Sequence, residues 1–235
     1  MKRFRFLALF AVLSLSFVLT PGTSAQTYAS RSERSYENTH LRVAVQGGWG
    51  YRTARLSDDI DPALRDHMRK LKSGYVIGAD AAWYVANLGF GVTYHNLHSF
   101  DNAGKVKTQD ATAASNLTEE IGIMYVAPQL SSRYVAGKHN MFIDISLGYL
   151  SYRNHTFQGL DYRVNGKTLG YGADLRYDYA ITPRFAVGAS FTAVTGTLRK
   201  VRIGVGSESF DQELEKGEYE SLNHMALTAG IRFML

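Results

Sequence analysis

The chain has 235 residues, 45% hydrophobic and 20% charged, with 22 Gly, 15 Tyr, 12 Phe, 4 Pro and no Cys. That length makes one large β or α/β domain the first expectation, and the composition excludes wholesale disorder, a collagen repeat, a disulfide-stapled small fold and a cysteine-ligated zinc or iron–sulfur site. The formal charge is +5, but Lys2, Arg3 and Arg5 fall in a segment expected to be removed; without those three of its 26 basic residues the chain keeps 23 against 21 acidic ones, so the charge gives no reason to expect nucleic acid.

The opening MKRFRFLALFAVLSLSFVLTPGTSAQ places a basic start before an apolar run at residues 6–20, a helix-breaking Pro21-Gly22, and the small residues Thr23 and Ala25 before a cut after Ala25. This is the three-part secretory signal, and residues 1–25 are expected to be a cleaved signal peptide. An anchor helix is the competing reading, but the apolar run falls short of the roughly 20 residues that such a helix needs. No cysteine offers a lipidation site. Residues 26–39 form a short polar extension, and residues 40–235 the domain.

From residue 41 the hydrophobic period becomes two, the signature of strands with one apolar face. The first run sets Leu41, Val43, Val45, Trp49 and Tyr51 against Arg42, Gln46 and Arg52, and the second sets Tyr75, Ile77, Ala79, Trp83 and Val85 against Gly74, Gly78 and Asp80. A third sets Phe90, Val92 and Tyr94 against Thr93 and His95; a fourth sets Ile121, Ile123, Tyr125 and Ala127 against Glu120, Gly122, Met124 and Val126. The fifth opposes Met141, Ile143, Ile145, Leu147 and Tyr149 to Asp144 and Ser146, and the sixth opposes Leu169, Tyr171, Leu175, Tyr177 and Tyr179 to Asp174, Arg176 and Asp178. Phe185, Val187 and Phe191 against Ser190 and Thr192 make the seventh, and Met225, Leu227, Ile231 and Phe233 against His224, Thr228 and Arg232 the eighth.

The connections alternate in length. Long polar stretches at residues 53–73, 96–119, 151–167 and 195–223 are expected as loops at one end, and shorter ones at 86–89, 131–139 and 180–184 as turns at the other. Within the first long stretch, Asp61-Pro62 starts and Ser73-Gly74 stops a short amphipathic helix that caps the loop.

Alternation alone does not say which face is inside. A soluble lipocalin-like barrel turns its apolar face inward around a greasy ligand, whereas a membrane barrel turns it to lipid and fills its lumen with polar groups. Here the polar face mixes Gly with Asp, Arg, Glu and His, which suits a narrow lumen better than a solvated strand. Trp49, Tyr51, Tyr75, Trp83, Tyr149, Tyr177 and Tyr179 fall toward the ends of the runs, where aromatic girdles meet headgroups. Most runs approach the roughly 9 to 11 residues of a tilted membrane strand, the third and fourth being shorter.

The last run, ALTAGIRFML, carries Thr228, Gly230, Phe233 and Leu235. That spacing resembles the C-terminal insertion signal of bacterial outer-membrane barrels, with Leu235 where an aromatic residue is more usual. With its leader, eight runs and alternating connections, the chain resembles the small porin-like outer-membrane barrels, the class of the OmpA transmembrane domain and OmpW, and most of all the compact outer-membrane β-barrel domains of Bacteroidetes. The fold class expected is all-β, an eight-stranded antiparallel up-and-down transmembrane β-barrel of a Gram-negative cell envelope, with both barrel termini periplasmic. The partners expected are outer-membrane lipid and lipopolysaccharide, and the barrel-assembly machinery during insertion; the chain is expected as a monomer, with no cofactor.

Charges on the polar faces are the candidate site. Arg42, Asp80, Glu120, Asp144, Asp174, Arg176, Asp178 and Arg232 are expected to form a lumen charge network, with Arg42 beside Arg232 at the barrel closure, Asp144 level with Asp178, and Glu120 nearer the outer rim. Eight strands leave a lumen just wide enough for side chains to fill, and charges in it must pair. Such a network is either a salt-bridged plug or a gated ion path, and the narrowness favours the plug.

No metal site is expected. His95 and His98 are three apart and so lie on opposite faces, while Asp58, Asp59 and Asp61 lack the glycine and closing glutamate of a calcium loop. His155 and His224 have no serine or acid at a recognisable catalytic spacing. Arg199, Lys200 and Arg202 make a basic cluster able to contact lipopolysaccharide phosphates. The function expected is therefore a non-catalytic integral membrane protein with a structural or surface-interaction role. A narrow channel for small solutes is the alternative, ahead of a lipid-modifying enzyme or a soluble extracellular ligand-binding barrel.

Overall fold

The computed structural model describes residues 39–54, 62–106, 115–157, 160–206, 208–215 and 219–235. The leader, nearly all of the polar extension, and Asp58, Asp59 and Asp61 lie outside the described residues.

The elements in chain order are β1 (Leu41–Arg52), α1 (Pro62–Lys70), β2 (Ser73–Val85), β3 (Leu88–Val106), β4 (Ser115–Ala136), β5 (His139–Phe157), β6 (Asp161–Thr182), β7 (Phe185–Leu198), β8 (Lys200–Val205), β9 (Glu208–Glu213), β10 (Glu220–Ser221) and β11 (His224–Met234). Strands β1 to β7 pair in sequence, and β11 pairs with both β7 and β1, so eight antiparallel strands close a ring. Closure gives every ring strand two partners for its backbone N–H and C=O groups, the condition for a sheet to cross lipid. Among the described residues no helix is long and apolar enough to cross a membrane.

The apolar faces look outward. Leu175 and Ile231 are 49% and 42% exposed on the wall, whereas Asp174 and Arg232 are 4% and 0% exposed inside it. The inward row at the closing seam needs a glycine: a Cβ on Gly230 would lie 2.1 Å from the Val45 carbonyl oxygen of β1. Two-residue turns join β2 to β3 at Ala86-Asn87 and β4 to β5 at Gly137-Lys138, with Ala86 at φ 54 and Gly137 at φ 63. Ala86 carries no glycine to relieve that conformation, and Arg133 Nη2 holds its carbonyl at 2.8 Å.

The stretches expected as long loops are largely strand. β3 and β4 reach 19 and 22 residues, β5 and β6 19 and 22, and they rise well past the apolar belt. Their polar alternation continues the ladder because exposed backbone groups pair across the hairpin as readily beyond the apolar belt as within it. Above Gly170, β6 exchanges β7 for the β8–β9 hairpin, and among the described residues β9 pairs with β8 alone. Helix α1 ends at Lys70, short of the expected Ser73-Gly74, because Ser73 already opens β2.

Strand β4 reverses the expected faces. Ile121, Ile123, Tyr125 and Ala127 are buried inside the barrel, while Glu120, Gly122, Met124 and Val126 look out. The upper lumen is packed with apolar side chains, so Ile121, Ile123 and Tyr125 belong there, while outward Glu120 and Gly122 stand beside His98, Arg153 and His155 and outward Val126 is level with Tyr149.

Candidate functional site

The lumen is filled in three layers. Nearest the chain ends, Ala82, Tyr84, Phe142, Ala180 and Met234 pack as a small apolar cluster. The charged layer follows. The upper half holds Val76, Leu97, Ile121, Ile123, Tyr125, Leu150, Tyr152, Val194, Leu198 and Leu222, with Leu71 just after α1 packed in from above.

Alternation on β1, β2, β5, β6 and β11 sends the charged side chains of the middle layer inward at nearly one height. Arg176 reaches three carboxylates: Asp80 through Nη1 at 2.7 Å, Asp144 through Nε at 2.9 Å and Asp174 through Nη2 at 3.5 Å. Arg42 bridges Asp80 and Asp178, the latter at 2.9 Å, and its guanidinium lies 4.7 Å over the Phe142 ring. Arg232 donates to Asp178 at 3.0 Å, to Gln46 Oε1 at 3.0 Å and to Ser190 Oγ at 3.1 Å. Thr192 donates to Asp174 at 2.5 Å, and His95 stands 3.6 Å from the same carboxylate. Three guanidinium groups thus face four carboxylates with a histidine beside them, in a space where an unpartnered charge would meet a large desolvation cost.

Seven of the eight candidate network residues come together there. Arg42 and Arg232 share Asp178 across the seam. Asp144, however, is level with Asp174, and Asp178 with Asn140. Glu120 is not in the network: its side chain is 50% exposed on the outer wall, 3.5 Å from His98 Nε2. Because of the reversed β4 faces its neighbour Glu119 turns inward instead, at the top of the lumen against His67 and apart from the charged layer. Gln46, Ser190 and Thr192 join the layer as polar partners, and the signal that finds them is their position on the same alternating faces as the charges.

Helix α1 closes the top. His67 is buried between two carboxylates, Nδ1 2.6 Å from Asp101 Oδ2 and Nε2 3.1 Å from Glu119 Oε2, and Asn154 donates to the other Glu119 oxygen at 2.6 Å. Arg52 reaches Glu220 at 2.6 Å beside the Tyr152 ring. The sequence shows only an amphipathic helix here; that His67 meets Asp101 and Glu119 depends on how far β3 and β4 continue.

Of the other sequence candidates, His95 faces the lumen and His98 the outer wall against Tyr75. His155 pairs with Asp161 on the outer face, and His224 Nδ1 meets the Leu222 carbonyl inside. Arg202 makes two contacts to Asp211, at 2.7 and 3.3 Å, and Arg199 lies over Tyr219. Asp211 is held below the ordinary carboxylate value by the Arg202 hydrogen bond. Thr228 and Gly230 line the inner seam, while Phe233 and Leu235 are exposed at the lower rim.

No protein-family model matches the chain, and no curated protein matches it. Among solved structures, a major outer membrane protein from Thermus thermophilus is similar with a TM-score of 0.54 at 9% identity, over 83% of this chain and 99% of that one. Neisserial surface protein A is similar at 0.46 and 14% identity, over 83% and 97%, and Ail, the attachment invasion locus protein of Yersinia pestis, at 0.45 and 10%, over 83% and 99%. At such identities the likeness is one of fold, and the Thermus protein carries it: this chain has the fold of a small outer-membrane β-barrel.

Proposed function

We propose that the chain is a non-catalytic integral protein of the outer membrane, termini on the periplasmic side, with a lumen closed to ions and with strand extensions and lid that meet molecules at the cell surface. The supporting observation is the layered filling of the lumen. A conducting pore needs a continuous polar path wide enough for a hydrated or coordinated ion. Here an ion leaving the Arg176 layer upward would have to pass Ile123, Leu97 and Leu150, all fully buried, and then Leu71. Against catalysis stands the disposition of the outer histidine: His155 pairs with Asp161, while the neighbouring Thr156 hydroxyl donates to Asn154 Oδ1 at 3.0 Å.

Purified folded protein in planar bilayers is expected to show no stepwise conductance. Discrete steps that change size in Arg176→Met would replace this reading with the narrow channel.

A further inference from the structure

The outer wall above the belt is not electrically even. On β7, β11 and β1 the outward residues at that height are Thr195, Thr197, Asn223 and Thr53, all neutral. On β5, β6 and β8 they are Arg153, Lys167, Lys200 and Arg202. Directly beneath this second group Tyr149, Leu169 and Tyr171 are exposed as the top of the lipid-facing belt.

Register sets the spacing. Arg153 is opposite Asn165, which is opposite Arg202, so the two arginines lie in one row two strands apart. Lys167 is opposite Ser151, diagonal to Arg153 at roughly 7 to 8 Å. Val201 pairs with Gly166, which puts Lys200 abreast of Lys167. Like charges abreast on a sheet are destabilising unless an anion lies between them. The acids in reach are Asp211, which binds Arg202 and stands 3.9 Å from Lys200, Glu213, opposite Lys200, and Glu120, diagonal to Arg153 on β4. Three acids against four bases leave the ledge at about +1, and Arg153 makes no ion pair among the described residues. Glu120 is engaged by His98, and Asp161 by His155 and Arg163.

The ledge is also hollowed. Two depressions of about 440 and 430 Å³ share Ser151, Arg153 and Asn165. Beside Arg153 the wall carries Gly122, where an added Cβ would meet nothing within 4 Å.

We propose that this ledge binds the phosphate groups of a phosphorylated glycolipid of the outer leaflet, its acyl chains lying down the β5–β6 wall. The proposal rests on the membrane-spanning reading given above. Cations just above an exposed aromatic and leucine belt are where headgroup phosphates sit, and charge-assisted contacts to phosphate are strong for both arginine and lysine.

The test uses the folded full-length barrel in a non-ionic detergent, with lipid A as the probe and native mass spectrometry as the readout. Arg153→Gln combined with Lys167→Gln is expected to weaken lipid A binding about tenfold, while Arg153→Lys with Lys167→Arg keeps it within about twofold. Dephosphorylated lipid A is expected to bind the wild-type protein as weakly as the Gln pair binds lipid A. Equal binding by the Gln pair and wild type overturns the proposal, as does equal binding of dephosphorylated lipid. Displacement by millimolar inorganic phosphate would assign the ledge to free anions and overturn the lipid source. The folded, heat-modifiable band on an unheated gel separates the two readings: without it in the wild type the membrane barrel itself fails, and with it only the ledge is at stake.

Discussion

Arg176 is the counter-charge for three aspartates, and no water-facing surface relieves them if it is lost. All four side chains are 1% exposed or less. Arg176→Met keeps the bulk but leaves Asp80, Asp144 and Asp174 facing one another with Arg42 and His95 as the remaining basic groups at hand. A cost of about 3 to 5 kcal/mol is expected for breaking such a buried network from one side, read as a lower urea midpoint of the folded band. Gly230 is a second sensitive position, for a steric reason. Its added Cβ would meet Val45 backbone oxygen at 2.1 Å and the Arg232 guanidinium at 2.9 Å. Gly230→Ala is expected to spread the β1–β11 seam and cost about 1 to 3 kcal/mol, whereas Gly122→Ala, with open space at that position, should leave the same midpoint unchanged. Gly230 in the terminal motif thus answers a demand of the finished seam, whatever it does during insertion.

Among the elements, α1 and the β8–β9 hairpin are the pieces held by few contacts. The lid is fixed by Leu71 in the upper cluster and by His67, whose two ring nitrogens both face carboxylates. His67→Ala is expected to raise amide exchange over residues 64–70 by about tenfold or more while the ring strands keep their protection. Equal exchange in both proteins would mean that Leu71, with Met68 and the Lys70–Asp101 pair, holds the lid without the histidine. The hairpin depends on pH through Asp211. Its folded-state value is depressed below the ordinary 3.8 by the Arg202 hydrogen bond, so the pair's contribution is present above 3.8 and lost as pH falls through the lower folded value. The Arg202 side-chain NH resonance is expected to hold its bonded shift from pH 7 to below 3.8 and to move only as pH falls through the depressed folded value; in Asp211→Asn it should show no such titration.

For the molecule as a whole, the ring and the direction of its greasy face were legible because all eight runs alternate with one face free of charge and seven of them turn that face outward. Leu169 to Tyr179 on β6 is the plainest case. What alternation lacks is a sign, and β4 shows the limit: Ile121 and Ile123 look like lipid-facing residues until the height of the belt is known, and they lie above it, packed against Leu97 and Leu150. Glu120 was misplaced by that reversal. Relative heights failed for a related reason. Strands in a closed barrel are tilted and staggered, so position within a run does not fix level, and Asp144 came to lie across from Asp174 instead of Asp178. The charged layer could be read as a set of residue types but not as a list of partners, since Arg176 finds Asp80 from a strand almost a hundred positions away. Outside the ring, β9 ends the sheet, exposed and, among the described residues, unpaired along one side, the kind of border onto which proteins aggregate by adding strands. Three of its six residues, Glu208, Asp211 and Glu213, are acidic. Two copies meeting edge to edge would bring those carboxylates toward each other, with Arg202 and Lys200 of β8 on Asp211 as the partial offset, so the border that invites strand addition also carries a charge that opposes it.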